Sequence, residues 1–185
     1  MNGKNRGYYK IEGAARAFNF DFKNRVVLDI GSSTGGFTQY ALDHGAKKVI
    51  AVEKGTNQMV SPLRHDPRVE LHEKTDIFDV ILNEKPDIIM ADVSFISLTK
   101  ILAHAKTHLA NQDTKFLVML KPQFEAKPDQ LNKGIVKNEA IRRDIIKQFE
   151  QWLKNRGFII INKRDNLLKG KTGNQERFYN LTLAK

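Results

Sequence analysis

Between Val26 and Thr38 the chain reads VVLDIGSSTGGFT, an apolar run that breaks into small residues where a helix should begin. The bare stretch is Gly31, Ser32, Ser33, Thr34, Gly35 and Gly36, and a carboxylate, Asp29, stands just before it. Two more acids, Glu53 and Asp76, close the next two apolar runs. Small residues let a main chain come close to a ligand, and acids at strand ends can accept hydrogen bonds from one. The dinucleotide fingerprint G-x-G-x-x-G needs a second glycine where Ser33 stands, and a Walker loop needs a lysine where Phe37 stands. Pyrophosphate and triphosphate ligands are therefore disfavoured.

A ligand with an amino acid at one end, a nucleoside at the other and no phosphate matches this pattern, and S-adenosylmethionine is such a ligand. Asp29 is then expected to engage the loop or the ligand's ammonium group. Glu53 accepts from the ribose hydroxyls and Asp76 meets the adenine amino group. Phe37, Lys54 and Ile77 complete the expected lining. Taken singly, each acid fits a cap or a solvated turn as well, Asp76 above all. Together, beside one glycine loop, they favour the cofactor.

To hold these residues at one edge, the chain must fold as strands alternating with helices. Short apolar runs at 25–30, 47–53, 68–73, 86–93 and 115–121 read as strands, with helices predicted over 35–45, around Met59 to Leu63, and over 98–109. The clearest helix is 137–157, where Ile141, Ile145, Phe149 and Trp152 recur at helical spacing and Gly157 supplies the stop, so Trp152 is expected in the core. Two last strands, 158–165 and 176–184, are joined by the Gly- and Lys-containing segment 166–175 and should pair antiparallel. Ahead of the first strand, 8–18 reads as a short amphipathic helix with Ile11, Ala15 and Phe18 on one side and Lys10 at its start. The pattern is α/β, a mostly parallel seven-stranded sheet with helices on both faces and a C-terminal antiparallel hairpin.

Composition limits the partners. The 185 residues carry 31 Lys and Arg against 21 Asp and Glu, a formal charge of +10 that attracts polyanions and makes such binding salt-dependent. Nucleic acid is the leading partner class, ahead of a merely solubilising surface. Basic residues gather at both ends, with Lys4, Arg6, Lys10 and Arg16 early and the stretch 162–177 late, so two distant segments are expected to form one positive face. With no Cys and no close pairing among five His, no metal site or disulfide is expected. No apolar run reaches membrane-spanning length, and a soluble, cytoplasmic protein is expected.

Four longer segments, DIGSSTGGFT, ADVSFISL, KPQFEA followed by KGIV, and GNQERF, occur in a characteristic order and spacing. In them the chain resembles the hemolysin A or TlyA group of ribosomal RNA 2′-O-methyltransferases, within the FtsJ-like or RrmJ-like methyltransferases, over nearly its whole length. The resemblance implies a Rossmann-like S-adenosylmethionine methyltransferase fold over 1–185, with a basic segment and short helix in 1–25 and a catalytic core in 26–185. It also implies a Lys-Asp-Lys-Glu tetrad, falling here on Lys10, Asp92, Lys121 and Glu176, with Asp92 facing the cofactor as well. The implied partner is ribosomal RNA or a ribosomal subunit, with no membrane, for a monomer or weak homodimer. Two departures stand out: Tyr8 follows Arg6 and Gly7 where relatives usually have a second glycine, and Glu53 replaces the usual Asp. The family typically places a small S4 RNA-binding domain ahead of this one, and nothing in this sequence corresponds to it.

Methyl transfer to a ribose hydroxyl mainly requires alignment of oxygen, carbon and sulfur, and removal of the hydroxyl proton as the bond forms. Lys121 is expected nearest that hydroxyl and as its base, with Asp92 and Glu176 orienting the two lysines. A second ammonium about 4 Å away disfavours the protonated form of a lysine by about 4 kcal/mol at an effective dielectric near 20, and a carboxylate at that range cancels it. Phe95 and Phe124 are candidates to stack unpaired bases, or simply to pack. Two other classes stay open: a non-catalytic RNA-binding or ribosome-assembly module, and a membrane-active hemolysin, which no hydrophobic span or exposed amphipathic helix supports.

Overall fold

Asn5 starts the first helix. Its side chain accepts from the Tyr8 N–H at 3.0 Å, so α1 (Arg6–Phe18) begins two residues earlier than its apolar stripe suggests, and Lys10 lies in the second turn. The computed structural model describes residues 4–168 and 173–185. The chain continues through β1 (Val26–Ile30), α2 (Gly36–Asp43), β2 (Lys48–Val52), α3 (Ser61–Arg64), β3 (Val69–His72), β4 (Ile88–Ala91), α4 (Leu98–His104), β5 (Lys115–Leu120) and α5 (Pro122–Glu125). A small hairpin of β6 (Leu131–Asn132) and β7 (Ile135–Val136) precedes α6 (Glu139–Asn155), β8 (Phe158–Asp165) and β9 (Arg177–Leu183).

Seven strands form one sheet in the order β3-β2-β1-β4-β5-β9-β8. The first five pair in parallel, and β9 inserts antiparallel between β5 and β8. Every residue of β1 is buried, which is why its sequence shows no alternation and is apolar but for the buried Asp29. From β1 the chain moves outward through β2 and β3, then returns to β4 on the other side, so the loops after β1 and β4 diverge and leave a crevice.

Helices cover both faces. On one, Ile101 and Leu102 of α4 with Phe149 and Leu153 of α6 pack on Leu28, Ile89 and Phe116. On the other, Tyr8 and Ile11 of α1 with Tyr40 and Ala41 of α2 pack on Val27, Met90 and Leu117. α6 is capped by Asn138, whose side chain accepts from Ile141 N–H at 2.9 Å, and Gly157 follows it with φ +72°.

Several details differ from the sequence reading. Trp152 is half-buried, packed against the core and not fully inside it, where it stacks between Phe149 and Phe158. The helix near Met59 is a single turn starting at Ser61, because Pro62 starts it and Pro67 forbids its continuation. The helix over 98–109 loosens into a π-turn at Ala105–Leu109, where the rings of His104 and His108 stack at 4.8 Å. The hairpin β6–β7 and the turn α5 were too short to leave a periodic signal.

Candidate active site

Two chambers meet in the crevice between the β1 and β4 loops. One, of about 780 Å³, is lined by Gly31, Glu53, Lys54, Asp76, Ile77 and Asp92, among others. Its neighbour, of about 590 Å³, is lined by Lys10, Asp92, Lys121 and Glu176, with Arg6, Gln123 and Phe124. Gly31, Ser33, Asp92, Ser94 and Phe95 belong to both, so the two spaces adjoin at Asp92.

Of the residues expected to take the cofactor, Gly31, Ser33, Glu53, Lys54, Asp76, Ile77 and Asp92 line the first chamber, Ser32, Thr34, Gly36 and Phe37 line only the second, and Gly35 and Asp29 line neither. Gly31 has φ +78°, and a Cβ there would lie 3.2 Å from the Asp92 carbonyl oxygen. Gly35, with φ +90°, would drive a Cβ to 2.5 Å from Leu63, and Gly36 abuts α1. The N–H groups of Gly31 and Ser32 donate to Val52 O, and Ser33 N–H donates to Glu53 at 2.9 Å. The loop's glycines therefore also serve the protein's own close packing, while Gly31 and Ser33 line the chamber together with its carboxylates. Glu53 also accepts from Gly55 N–H at 2.7 Å, which fixes its head group. Asp76 caps the short turn after β3 through Phe78 N–H at 3.2 Å and pairs with Lys54 at 3.0 Å. Lys54, with the Phe78 N–H, holds its carboxyl below the usual range.

Asp29 lies under the loop and lines neither chamber. It is fully buried, and Thr38 of α2 donates to its Oδ2 at 2.7 Å, so it ties the start of α2 to β1. Burial pushes its carboxyl from an ordinary 3.8 up to about 7, against the Thr38 hydrogen bond and reinforced by the negative charge of Asp92. Two polar atoms of this region, Asp29 Oδ1 and Ser32 Oγ, are buried without a hydrogen-bond partner among the described residues. The unpartnered Ser32 Oγ at the loop, the carboxylates on the wall and the absence of a phosphate-binding lysine from the loop fit S-adenosylmethionine.

The state of Asp29 makes stability pH-dependent. The unfolded chain ionises near 3.8 while the folded chain keeps the proton to about 7, so the folded state binds the extra proton between those values. This contribution is complete below 3.8 and falls as pH rises through the window, by at most about 1.4 kcal/mol per unit. Asp29→Asn has no proton to lose. Its melting temperature is expected to decline less than that of the parent chain across this window, and parallel curves would refute the assignment.

The second chamber gathers the four tetrad positions from four separate segments. Lys10 Nζ lies 2.7 Å from Glu176 Oε2 and 4.0 Å from Asp92 Oδ2, and Lys121 Nζ lies 2.6 Å from Asp92 Oδ1. The result is an alternating chain, Lys121–Asp92–Lys10–Glu176, neutral as a set when all four are ionised. Lys121 also donates to Ser94 Oγ at 2.8 Å.

Supporting residues escaped the sequence reading. Asn166, buried at the end of β8, donates to Glu176 Oε2 at 3.3 Å. Buried Arg142 of α6 donates to Gln175 O at 3.1 Å and pairs with Asp165 at 2.6 Å, which Arg177 shares, so β9 is held on either side of Glu176. Burial raises the Asp165 carboxyl and the two guanidiniums more than offset it, leaving it below the usual range. Glu125 accepts from Ser97 Oγ and Leu98 N–H, both at 2.6 Å, and so joins the KPQFEA segment to ADVSFISL. Burial raises its carboxyl against those two hydrogen bonds. An asparagine or arginine in a loop-flanking position carries no period, and only the fold reveals its partner.

Phe95 projects at the junction of the chambers, 93% exposed, with a left-handed φ of +65° and its ring 5.2 Å from that of Phe124. The two basic ends also meet, since Arg164 donates to Gly13 O at 3.0 Å. Lys10 does not join that face because it is buried in its ion pairs. Lys169 and Lys171 lie outside the described residues. Among the described residues no helix is long and apolar enough to cross a membrane.

Comparison with known proteins agrees with this geometry. The chain is 40% identical over 172 residues to hemolysin A of Brachyspira hyodysenteriae, covering 90% of this chain and 71% of the relative. It is 36% identical over 179 residues to the 23S rRNA (cytidine-2′-O)-methyltransferase TlyA of Campylobacter jejuni, covering 94% and 68%. A solved Streptococcus thermophilus protein named after hemolysins superposes with a TM-score of 0.93 at 34% identity, over all of this chain and 68% of the other. The model of the FtsJ-like methyltransferases matches residues 4–182, the crevice and all four tetrad positions included, and the chain belongs to that family.

Proposed function

We propose that the protein transfers a methyl group from S-adenosylmethionine to a ribose 2′-hydroxyl of ribosomal RNA. The observation that carries this reading is the alternating Lys121–Asp92–Lys10–Glu176 chain at the junction of a carboxylate-lined chamber and a more basic one. The Campylobacter jejuni relative, named as a cytidine-2′-O-methyltransferase of 23S rRNA, supports the choice of acceptor.

When bound, S-adenosylmethionine supplies an electrophilic methyl group on a sulfonium. Glu53 and Asp76 would hold its nucleoside end, and Gly31 and Ser33 form the wall between the chambers. The chain's remaining task is to present the hydroxyl oxygen and remove its proton. Lys121 faces the hydroxyl; once its own ammonium proton has passed to solvent, the neutral amine takes the hydroxyl proton as the oxygen–methyl bond forms and the methyl–sulfur bond breaks, leaving the neutral thioether. Asp92 holds Lys121 in place, and Glu176 holds Lys10 beside Asp92, so the attacking oxygen meets a fixed array of groups. The exposed ring of Phe95, with Phe124 behind it, offers an unpaired base a stacking surface beside the reacting ribose.

The test is transfer of isotope-labelled methyl from S-adenosylmethionine to purified ribosomal subunits, followed by nuclease digestion and location of the label. Label on ribose, with the adjoining phosphodiester resistant to alkali, is expected. Label on a base or on ribosomal protein, or no transfer while the cofactor binds, would overturn the reading, and the last outcome points to a non-catalytic RNA-binding module.

A further inference from the structure

The hairpin β6–β7 contributes nothing to either hydrophobic core. Its ladder is two residue pairs long, Leu131 with Val136 and Asn132 with Ile135, and Ile135 is exposed. A two-stranded ladder of that size is marginal by itself. A buried side chain ties it down: Val136 N–H donates to Asn174 Oδ1 at 3.0 Å, and Asn174 Nδ2 donates to Gly134 O at 3.0 Å. Asn174 is only 3% exposed and stands two residues before Glu176. A buried amide is thus committed to fixing a surface hairpin against the segment that carries a tetrad residue.

The hairpin's turn is equally specific. Lys133 and Gly134 both have left-handed φ, +47° and +78°, the two-residue turn whose twist matches its strands. Gly134 lines the tetrad chamber, and Lys133 beside it is exposed, with no ion pair or side-chain hydrogen bond among the described residues. Left-handed backbone disfavours a lysine, yet one occupies the tip. From Leu131 to Lys137 the charged residues are Lys133 and Lys137, with no acid among them.

We propose that this hairpin is a grip for the acceptor RNA, with Lys133 taking a backbone phosphate of the single strand that enters the tetrad chamber. The inference rests on the RNA reading above and adds to it the surface that seats the strand. Phosphate contacts position a nucleic acid without reading its sequence, and a rigid tip beside the chamber sets how far the strand enters. Asn174 acts as a positioning residue, through the hairpin.

The experiment titrates the whole chain with a fluorescein-labelled single-stranded RNA of mixed sequence at stepped salt. Loss of one phosphate contact on a single strand lowers the slope of log affinity against log salt by about 0.7. Lys133→Ala is expected to show that fall and a severalfold rise in KM for RNA in the methyl-transfer assay, at unchanged kcat and cofactor affinity. Asn174→Ala, which keeps the lysine but frees its support, is expected to raise KM in the same direction. Lys115→Ala, an exposed lysine at the far end of β5, serves as control. An unchanged slope in Lys133→Ala, or an equal fall in Lys115→Ala, would overturn the proposal. A parent chain that binds RNA but transfers no methyl group refutes the catalytic reading alone, because the salt slope is read without turnover.

Discussion

Replacing Lys121 with alanine is expected to lower methyl transfer by about a thousandfold, the middle of the range for removing a positioned general base. Lys121 leaves the end of β5 as the residue before α5, and its ammonium sits 2.6 Å from Asp92 and 2.8 Å from Ser94. Without it, Asp92 keeps Lys10, at 4.0 Å, as its charged partner among the described residues. Lys121 lines the tetrad chamber and not the carboxylate-lined one, so cofactor affinity should stay within a small factor of the parent value. Lys121→Arg sharpens the test. A guanidinium keeps the ion pair with Asp92 but does not give up its proton in proteins, so it should restore stability without restoring rate. Single-turnover transfer and cofactor titration on both variants separate the outcomes. A Lys121→Ala enzyme with normal cofactor binding and an unchanged rate would remove Lys121 from the chemistry.

Gly36→Ala is expected to lower transfer by about a hundredfold without touching any ionisable group, because a displacement near 1 Å can have that effect. Gly36 opens α2 directly against the first turn of α1. A Cβ there would lie 2.2 Å from Asn5 Oδ1, 2.7 Å from Tyr8 N and 2.9 Å from the Gly7 carbonyl carbon. A rotated Asn5 relieves the first contact only, since the others are backbone. α1 must then back away from the loop, and with it Lys10, whose ammonium reaches Glu176 at 2.7 Å from the second turn of that helix. Asn5 also donates to Thr34 Oγ1 at 2.9 Å, so the same movement strains the glycine loop. Overpacking of this kind costs about 1–3 kcal/mol, and for a chain of this length the melting temperature should fall by roughly 2–10 °C. The variant should remain folded at assay temperature with its rate lost. A Gly36→Ala enzyme with parental turnover would show that α1 does not depend on this contact.

Much of this protein was legible before any coordinates. Short apolar runs such as FLVML, and VVLDI with its one Asp, fit strands buried on both faces, and their alternation with helical stretches pointed to a parallel sheet. The final antiparallel pair followed from the short segment joining it. The carboxylates at strand ends marked the crevice, because the ends of parallel strands on the ligand side must gather there. The four tetrad positions were read through their motifs, and they do converge.

The reasons behind those residues were not legible. The loop from Gly31 to Gly36 looked bare for a ligand's sake alone, yet Gly35 also admits Leu63 and Gly36 also admits α1. Asp29 looked like a ligand contact, yet it lies beneath the loop and holds Thr38. Trp152 has the helical spacing of a core residue, but periodicity shows only which face points inward and not how far the sheet extends beneath it.

By itself, then, the sequence determined the strands, their order along the chain, the charge and the candidate tetrad positions, because each depends on local pattern or on a motif. Only the tertiary structure decided which lysine pairs with which carboxylate, that Asn166 and Arg142 support Glu176, and that Asn174 ties a small hairpin to the chamber. Those pairings join residues as far apart as Lys10 and Glu176, and distances of 2.6–4.0 Å between such groups arise from packing that no local pattern encodes.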